Sequence, residues 1–289
     1  MANPALSTGI HKFQGLDIEL TYTVRGSGPY LIIQAAGWGI SSQYLQIGLS
    51  PLEAQFTLIY LEPRGSGPSE RPQEDMMSTS DMADDVELLR KHLEFEQIDL
   101  LGHSNGGTIA LAYAERYPAS VRNLILLTHW LEGYDDSRTW QQFLNERKGN
   151  PAFSKAIAAL EIAETQKFQS QEEWFQNLRV RLSFYPANPD KDYPAFEKAM
   201  GEPSWWVYKA QGAADKIKTL DLYAGLDKVK ARTLCLGCSE DPICTENVTR
   251  ITAEHIAGSQ VVIIPECGHF PWIEQPDQFF AAVIEFLKH

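Results

Sequence analysis

The period of the apolar residues changes along this chain, and each change marks an element. Residues 16–24 (L-D-I-E-L-T-Y-T-V) alternate apolar and polar, which predicts a half-buried antiparallel strand. Residues 1–12 before it read as a frayed arm, and Arg25-Gly-Ser-Gly-Pro29 after it reads as a turn. From Tyr30 the pattern becomes short continuous apolar runs, at 30–34, 56–61, 98–101, 121–127, 232–237 and 260–264. Runs of this kind predict strands covered on both faces, as in a parallel sheet. Helical stretches separate them. One spans 41–54. Another spans 82–94, with Met82, Val86, Leu89 and Leu93 at helical spacing and Ser80 or Asp81 as its cap. A small-residue helix follows residue 104, and others cover 247–256 and 278–287.

The rhythm stops after Thr128. Between His129 and Asp227 the pattern predicts only amphipathic helices, at 137–146, 152–165, 171–184, 193–200 and 204–217. The expected fold is therefore α/β: a mostly parallel, doubly wound sheet with an inserted helical cap. The core takes residues 1–128 and 229–289, and the cap takes 129–228.

Composition narrows the function. The chain has 289 residues, enough for one large α/β domain with an insertion. Its formal net charge of -13 argues against nucleic acid and anionic membranes, which call for a basic face. No apolar run reaches the length of a membrane span, and the first residues hold no secretory apolar region, so a cytoplasmic protein is expected. Cys235 and Cys238 have C-x-x-C spacing, but Cys235 lies inside a strand pattern and no second pair exists. Packed, reduced thiols are expected, with no metal and no cofactor.

The candidate chemistry starts at Gly102-His-Ser-Asn-Gly106, between an apolar strand and a small-residue helix. This is the G-x-S-x-G pattern of a nucleophile elbow, with Ser104 as nucleophile. A serine hydroxyl needs a base, and the base needs a carboxylate to hold its tautomer. Among seven histidines, His269 stands directly after the last strand and becomes the candidate base. The acid is expected after strand 232–237, where Glu240 and Asp241 are adjacent. Asp241 is preferred because Pro242 fixes its turn, and Glu132 is a distant third. The oxyanion hole would use the backbone N–H of Asn105 and that of Gly37 or Trp38. His103, His129, Trp130, Trp205 and Trp206 are expected around the substrate pocket.

The segments at 39–45, 63–69 (P-R-G-S-G-P-S), 102–107, Gly237 with Glu240-Asp-Pro242, and Gly268-His269 together resemble the α/β-hydrolases, more narrowly their proline-iminopeptidase-like branch. The resemblance spans nearly the whole chain. It implies a helical cap after the sixth strand and the triad Ser104, Asp241 and His269. Three departures stand out. The usual His-Gly-Gly-Pro-Gly loop is Ala35-Ala-Gly-Trp-Gly39 here, the elbow is Gly102-His-Ser-Asn-Gly-Gly107, and no acidic pair for a substrate amino group is evident in the cap. The expected activity is therefore hydrolysis of a small apolar or aromatic ester or lactone through an acyl-enzyme. Aminopeptidase action is the alternative within the class. A ligand-binding or non-hydrolytic biosynthetic role on the same fold is the alternative outside it.

Overall fold

The computed structural model describes residues 3–288. Its strands are β1 (Gly9–Gln14), β2 (Glu19–Gly26), β3 (Tyr30–Gln34), β4 (Thr57–Leu61), β5 (Ile98–His103), β6 (Val121–Leu127), β7 (Arg232–Cys238) and β8 (Gln260–Ile264). They form one sheet in the order β1-β2-β4-β3-β5-β6-β7-β8. The first two strands run antiparallel, and β3 to β8 pair in parallel. The expected mostly parallel α/β sheet is present.

Side chains on successive strand residues point to opposite faces, so a doubly covered sheet needs apolar residues at every position. In β6, Leu124 and Leu126 enter one core layer, while Ile125 and Leu127 enter the other. The first layer is closed by α2 (Thr79–His92), α3 (Asn105–Arg116) and α9 (Glu246–His255). The second is closed by α1 (Gln43–Gly48), the short α10 (Pro271–Glu274) and α11 (Pro276–Lys288). Between β6 and β7 lie α4 (Ser137–Lys148), α5 (Ser154–Thr165), α6 (Gln171–Leu182), α7 (Pro189–Met200) and α8 (Trp205–Ile217).

Three expectations about local structure change. Residues 9–14 are a paired strand and not a frayed arm; only Phe13 of that strand is buried, which leaves the pattern almost silent. Residues 1–2 of the expected arm lie outside the described residues. Leu16 is 72% exposed in the hairpin turn, so β2 begins at Glu19. The cap of α2 is Ser78, neither Ser80 nor Asp81. The Ser78 side chain accepts from the Asp81 N–H, and the Asp81 carboxylate accepts from the Ser78 N–H.

Just after β4, buried Glu62 accepts from the Ser42 N–H (2.9 Å) and the Ser42 hydroxyl (2.7 Å). Burial outweighs these bonds and pushes its carboxyl up to about 7. The folded chain thus holds this proton more tightly than the unfolded chain, whose ordinary value is 4.5. That contribution to stability is full below the unfolded value and is lost as pH rises through about 7. Glu62→Gln cannot titrate, so its melting temperature should fall less than the parent's between about pH 5 and 8. Parallel melting curves against pH would remove this role.

Candidate active site

The chain turns from β5 into α3 at Ser104, whose backbone sits at φ 57° and ψ -128°. A non-glycine residue held there is strained, and the surrounding contacts must hold it. Close packing explains the flanking glycines. A Cβ on Gly102 would stand 2.2 Å from the Gly106 carbonyl oxygen, and one on Gly106 would stand 2.3 Å from that of Gln34. With both residues bare, α3 starts directly behind the serine, and its first N–H groups face forward.

The two loops after β7 and β8 bring Asp241 and His269 together. His269 Nδ1–H donates to Asp241 Oδ2 at 2.7 Å, and both side chains are buried. The other Asp241 oxygen accepts from the Ile243 N–H (2.8 Å) and the Cys244 N–H (3.0 Å). This arrangement uses both carboxylate oxygens and leaves His269 Nε2 as the free acceptor. The alternative acid, Glu240, is exposed, and only its backbone takes part: its N–H donates to the Cys267 carbonyl at 2.8 Å. Glu132 does not bond His269 either.

Ser104, Asn105 and His269 line one cavity of about 450 Å³. The Asn105 N–H has no hydrogen-bond partner among the described residues, while Gly37 turns back on Ile40 in an antiparallel bridge, with the Ile40 N–H donating to the Gly37 carbonyl at 2.9 Å. The Trp38 N–H donates to Gln211 Oε1 at 2.7 Å, so of the two expected donors on this loop Gly37 is the one not taken by a side chain. Asn105 Nδ2 also donates to the Ala36 carbonyl at 2.7 Å, which ties the loop to the elbow.

His103 lines the cavity as expected and joins two loops. The Ala36 N–H donates to the Tyr44 oxygen (3.3 Å), Tyr44 O–H donates to His103 Nδ1 (2.9 Å), and His103 Nε2–H donates to the His269 carbonyl (3.1 Å). Burial, with His269 alongside, holds the His103 pKa well below its ordinary 6.5, so the ring is neutral. Trp130 also lines the cavity.

The other three expected pocket residues are elsewhere. His129 is fully buried behind α3, bonded to Thr252 at 2.8 Å, because the bare Gly107 lets β6 and α3 close over it. Trp205 packs beneath the Lys209 ammonium, and Trp206 packs against Gly65 and the Arg71 guanidinium. The face of α8 that reaches the cavity is that of Tyr208, which packs against Trp38 with ring centres 5.4 Å apart.

Several residues around the site carry no sequence motif. Glu274 is buried and accepts from the Gly268 N–H (2.7 Å), the Phe270 N–H (2.9 Å) and the Ala187 N–H (2.8 Å). It therefore holds both amides flanking His269 and fastens them to the segment after α6. Arg147 of α4 lies among Phe143, Phe153 and Phe184 and donates to the Glu240 carbonyl at 2.7 Å. Tyr185 meets the His269 ring edge-on at 5.2 Å. One signal was available in retrospect: Glu274 lies five residues past His269, close enough to return to the same loop.

Donor atoms of Asp241, Cys244 and His269 lie within 4.8 Å of one another, which raises the question of a metal. The Asp241 oxygens are already taken by one ring N–H and two amides. Burial pushes the Cys244 thiol well above its ordinary 9.0. A protonated thiol is a poor ligand, so these atoms suit proton transfer better than metal binding.

The chain matches the α/β-hydrolase fold over residues 29–276. It belongs to the α/β-hydrolase fold family. A putative carbamate hydrolase RutD from Rhizobium rhizogenes is 25% identical over 268 residues, covering 89% of this chain and 92% of that protein. A proline iminopeptidase from Heyndrickxia coagulans is 25% identical over 280 residues, covering 91% and 92%. The esterase EaEST from Exiguobacterium antarcticum superposes with a TM-score of 0.74 at 20% identity, covering 98% of this chain and all (100%) of that one. This α/β-hydrolase thus has hydrolases of several kinds among its relatives. None of its described helices is long and apolar enough to cross a membrane.

Proposed function

We propose that this α/β-hydrolase is a metal-independent serine hydrolase acting on small apolar or aromatic esters or lactones, with helices 129–228 as the cap over its site. The observation that carries the reading is the Asp241–His269 bond at 2.7 Å, set in the same cavity as the strained Ser104. His269 Nε2 takes the Ser104 proton while the serine oxygen attacks the carbonyl. The Asn105 and Gly37 N–H groups stabilise the oxyanion. The tetrahedral intermediate expels the alcohol, which takes the proton from His269. Water then repeats the sequence on the acyl-enzyme and releases the acid. The cavity walls are largely apolar and aromatic, including Tyr44, Phe196, Tyr208 and Phe270, which suits an apolar substrate body.

An aminopeptidase reading is favoured by one observation: Glu132 lines the cavity and could meet a substrate ammonium. A parallel assay with p-nitrophenyl butyrate and proline β-naphthylamide separates the two. The ester should turn over and the naphthylamide should not. Faster release of naphthylamine would assign the aminopeptidase reaction instead.

A further inference from the structure

Arg181 is the one lysine or arginine lining the Ser104 cavity, and no carboxylate among the described residues neutralises it. Arg181 lies in the last turn of α6 and lines the same cavity as Ser104. Among the described residues it has no carboxylate within 4.0 Å and makes no side-chain hydrogen bond. Its neighbour Arg179 faces the other way and pairs with Glu197 at 2.9 Å, so the helix terminus already has its complementary cation there. In this sequence 38 acidic residues face 25 lysines and arginines, so an arginine left unpaired in a half-buried position is unusual. A guanidinium in such a site retains its charge and its five donors. Taking it partly out of water costs free energy unless an anion meets it.

We infer that Arg181 is a specificity-determining residue that receives a carboxylate carried by the substrate, so that the substrate class is an anionic ester or lactone such as a half-ester of a dicarboxylic acid. The inference rests on the hydrolase reading above. Leu178 and Leu182 of the same helix also line the cavity, and Tyr185, four residues beyond Arg181, meets the His269 ring. These side chains share the cavity with Arg181, which fits a substrate with an apolar spacer between its scissile ester and its carboxylate. The reaction consumes one water: the acyl–oxygen bond breaks, the alcohol leaves with a proton, and the acid is released.

Glu132 is the other ionisable group of opposite sign lining the cavity apart from the triad region. Burial, with Asp215 alongside, raises its carboxyl above the ordinary 4.5. It also borders a second cavity with Asp215 and Lys218. Arg181 therefore sets the charge preference.

Two measurements test this. In the first, kcat/KM is compared for mono(p-nitrophenyl) adipate and p-nitrophenyl hexanoate, which share one acyl length. The parent should favour the adipate by about tenfold or more, the worth of one charge-assisted hydrogen-bond pair. Arg181→Gln should lose that ratio, and Arg181→Lys should keep part of it. In the second, calorimetry with Ser104→Ala compares phenylbutyrate, phenylbutyramide and phenylbutylamine, which requires no turnover. The carboxylate should bind tightest, and its advantage should vanish when Arg181→Gln is added. Equal binding of acid and amide, or tighter binding of the amine, overturns the inference. Carboxylate binding through Arg181 without hydrolysis of either ester would instead overturn the hydrolase reading and leave the anion site standing.

Discussion

Asp241→Asn should lower kcat on a p-nitrophenyl ester by a factor on the order of 10⁴ while the protein still folds. The aspartate accepts His269 Nδ1–H through Oδ2, which leaves Nε2 free, and in the proposed mechanism Nε2 takes the Ser104 proton. An asparagine keeps one oxygen for the Ile243 and Cys244 amides, which the present Oδ1 serves. The loop should therefore keep its shape. Its NH₂ group, however, then faces the imidazole and turns the donor nitrogen the wrong way. The carboxylate would also no longer stabilise the imidazolium formed in each step. Glu240→Gln is the comparison variant: its side chain is exposed, and activity should be retained. Loss of less than about tenfold in Asp241→Asn would mean that another group orients His269.

Glu274→Ala should be the most destabilising of the changes considered near the site. The carboxylate accepts from two buried amides, those of Gly268 and Phe270, and from the half-buried amide of Ala187, and removal leaves all three without it. Each of the two buried N–H groups left unpaired costs about 1–3 kcal/mol, so a total of about 2–6 kcal/mol is expected. In a domain of this size that corresponds to a fall of roughly 10 °C in melting temperature. Activity should fall further than the loss of folded protein explains, because two of the amides flank His269 on its loop. Glu274→Gln keeps one accepting oxygen and should lie between the parent and the alanine variant. A melting temperature within about 2 °C of the parent would show that water replaces the carboxylate without cost.

These two residues show what was legible in the sequence. Asp241 could be singled out as the candidate acid because the architecture places one at the end of the strand that resumes the sheet after the helical insertion. His269 and Ser104 follow from the same rule, since strand ends are visible as breaks in apolar runs. Glu274 could not be found this way. It sits in a short helix, and a single glutamate near a surface helix carries no mark of the three amides it receives. Arg181 is similar: its neighbour Arg179 has the same local sequence context but faces Glu197 outside the cavity.

Helix faces were the other gap. Tryptophans in the insertion signal burial but not direction. Trp205 and Trp206 turn to Lys209, Arg71 and Gly65, while Tyr208 on the same helix reaches the cavity. The direction is set by how α8 packs on Trp38 and Trp174, contacts distant in sequence. His129 follows the same logic in reverse. A histidine after a strand end suggested the site, but the bare Gly107 allows close packing that seals it behind α3. β1 has one buried phenylalanine in six residues, which leaves no period to read.

The central claim is that Ser104 is an activated nucleophile. Its most direct test is labelling of the folded protein with a fluorophosphonate, followed by peptide mass spectrometry. One adduct is expected, on the peptide containing Ser104, and none in Ser104→Ala. An unlabelled parent, or an adduct that survives the alanine substitution, would contradict it.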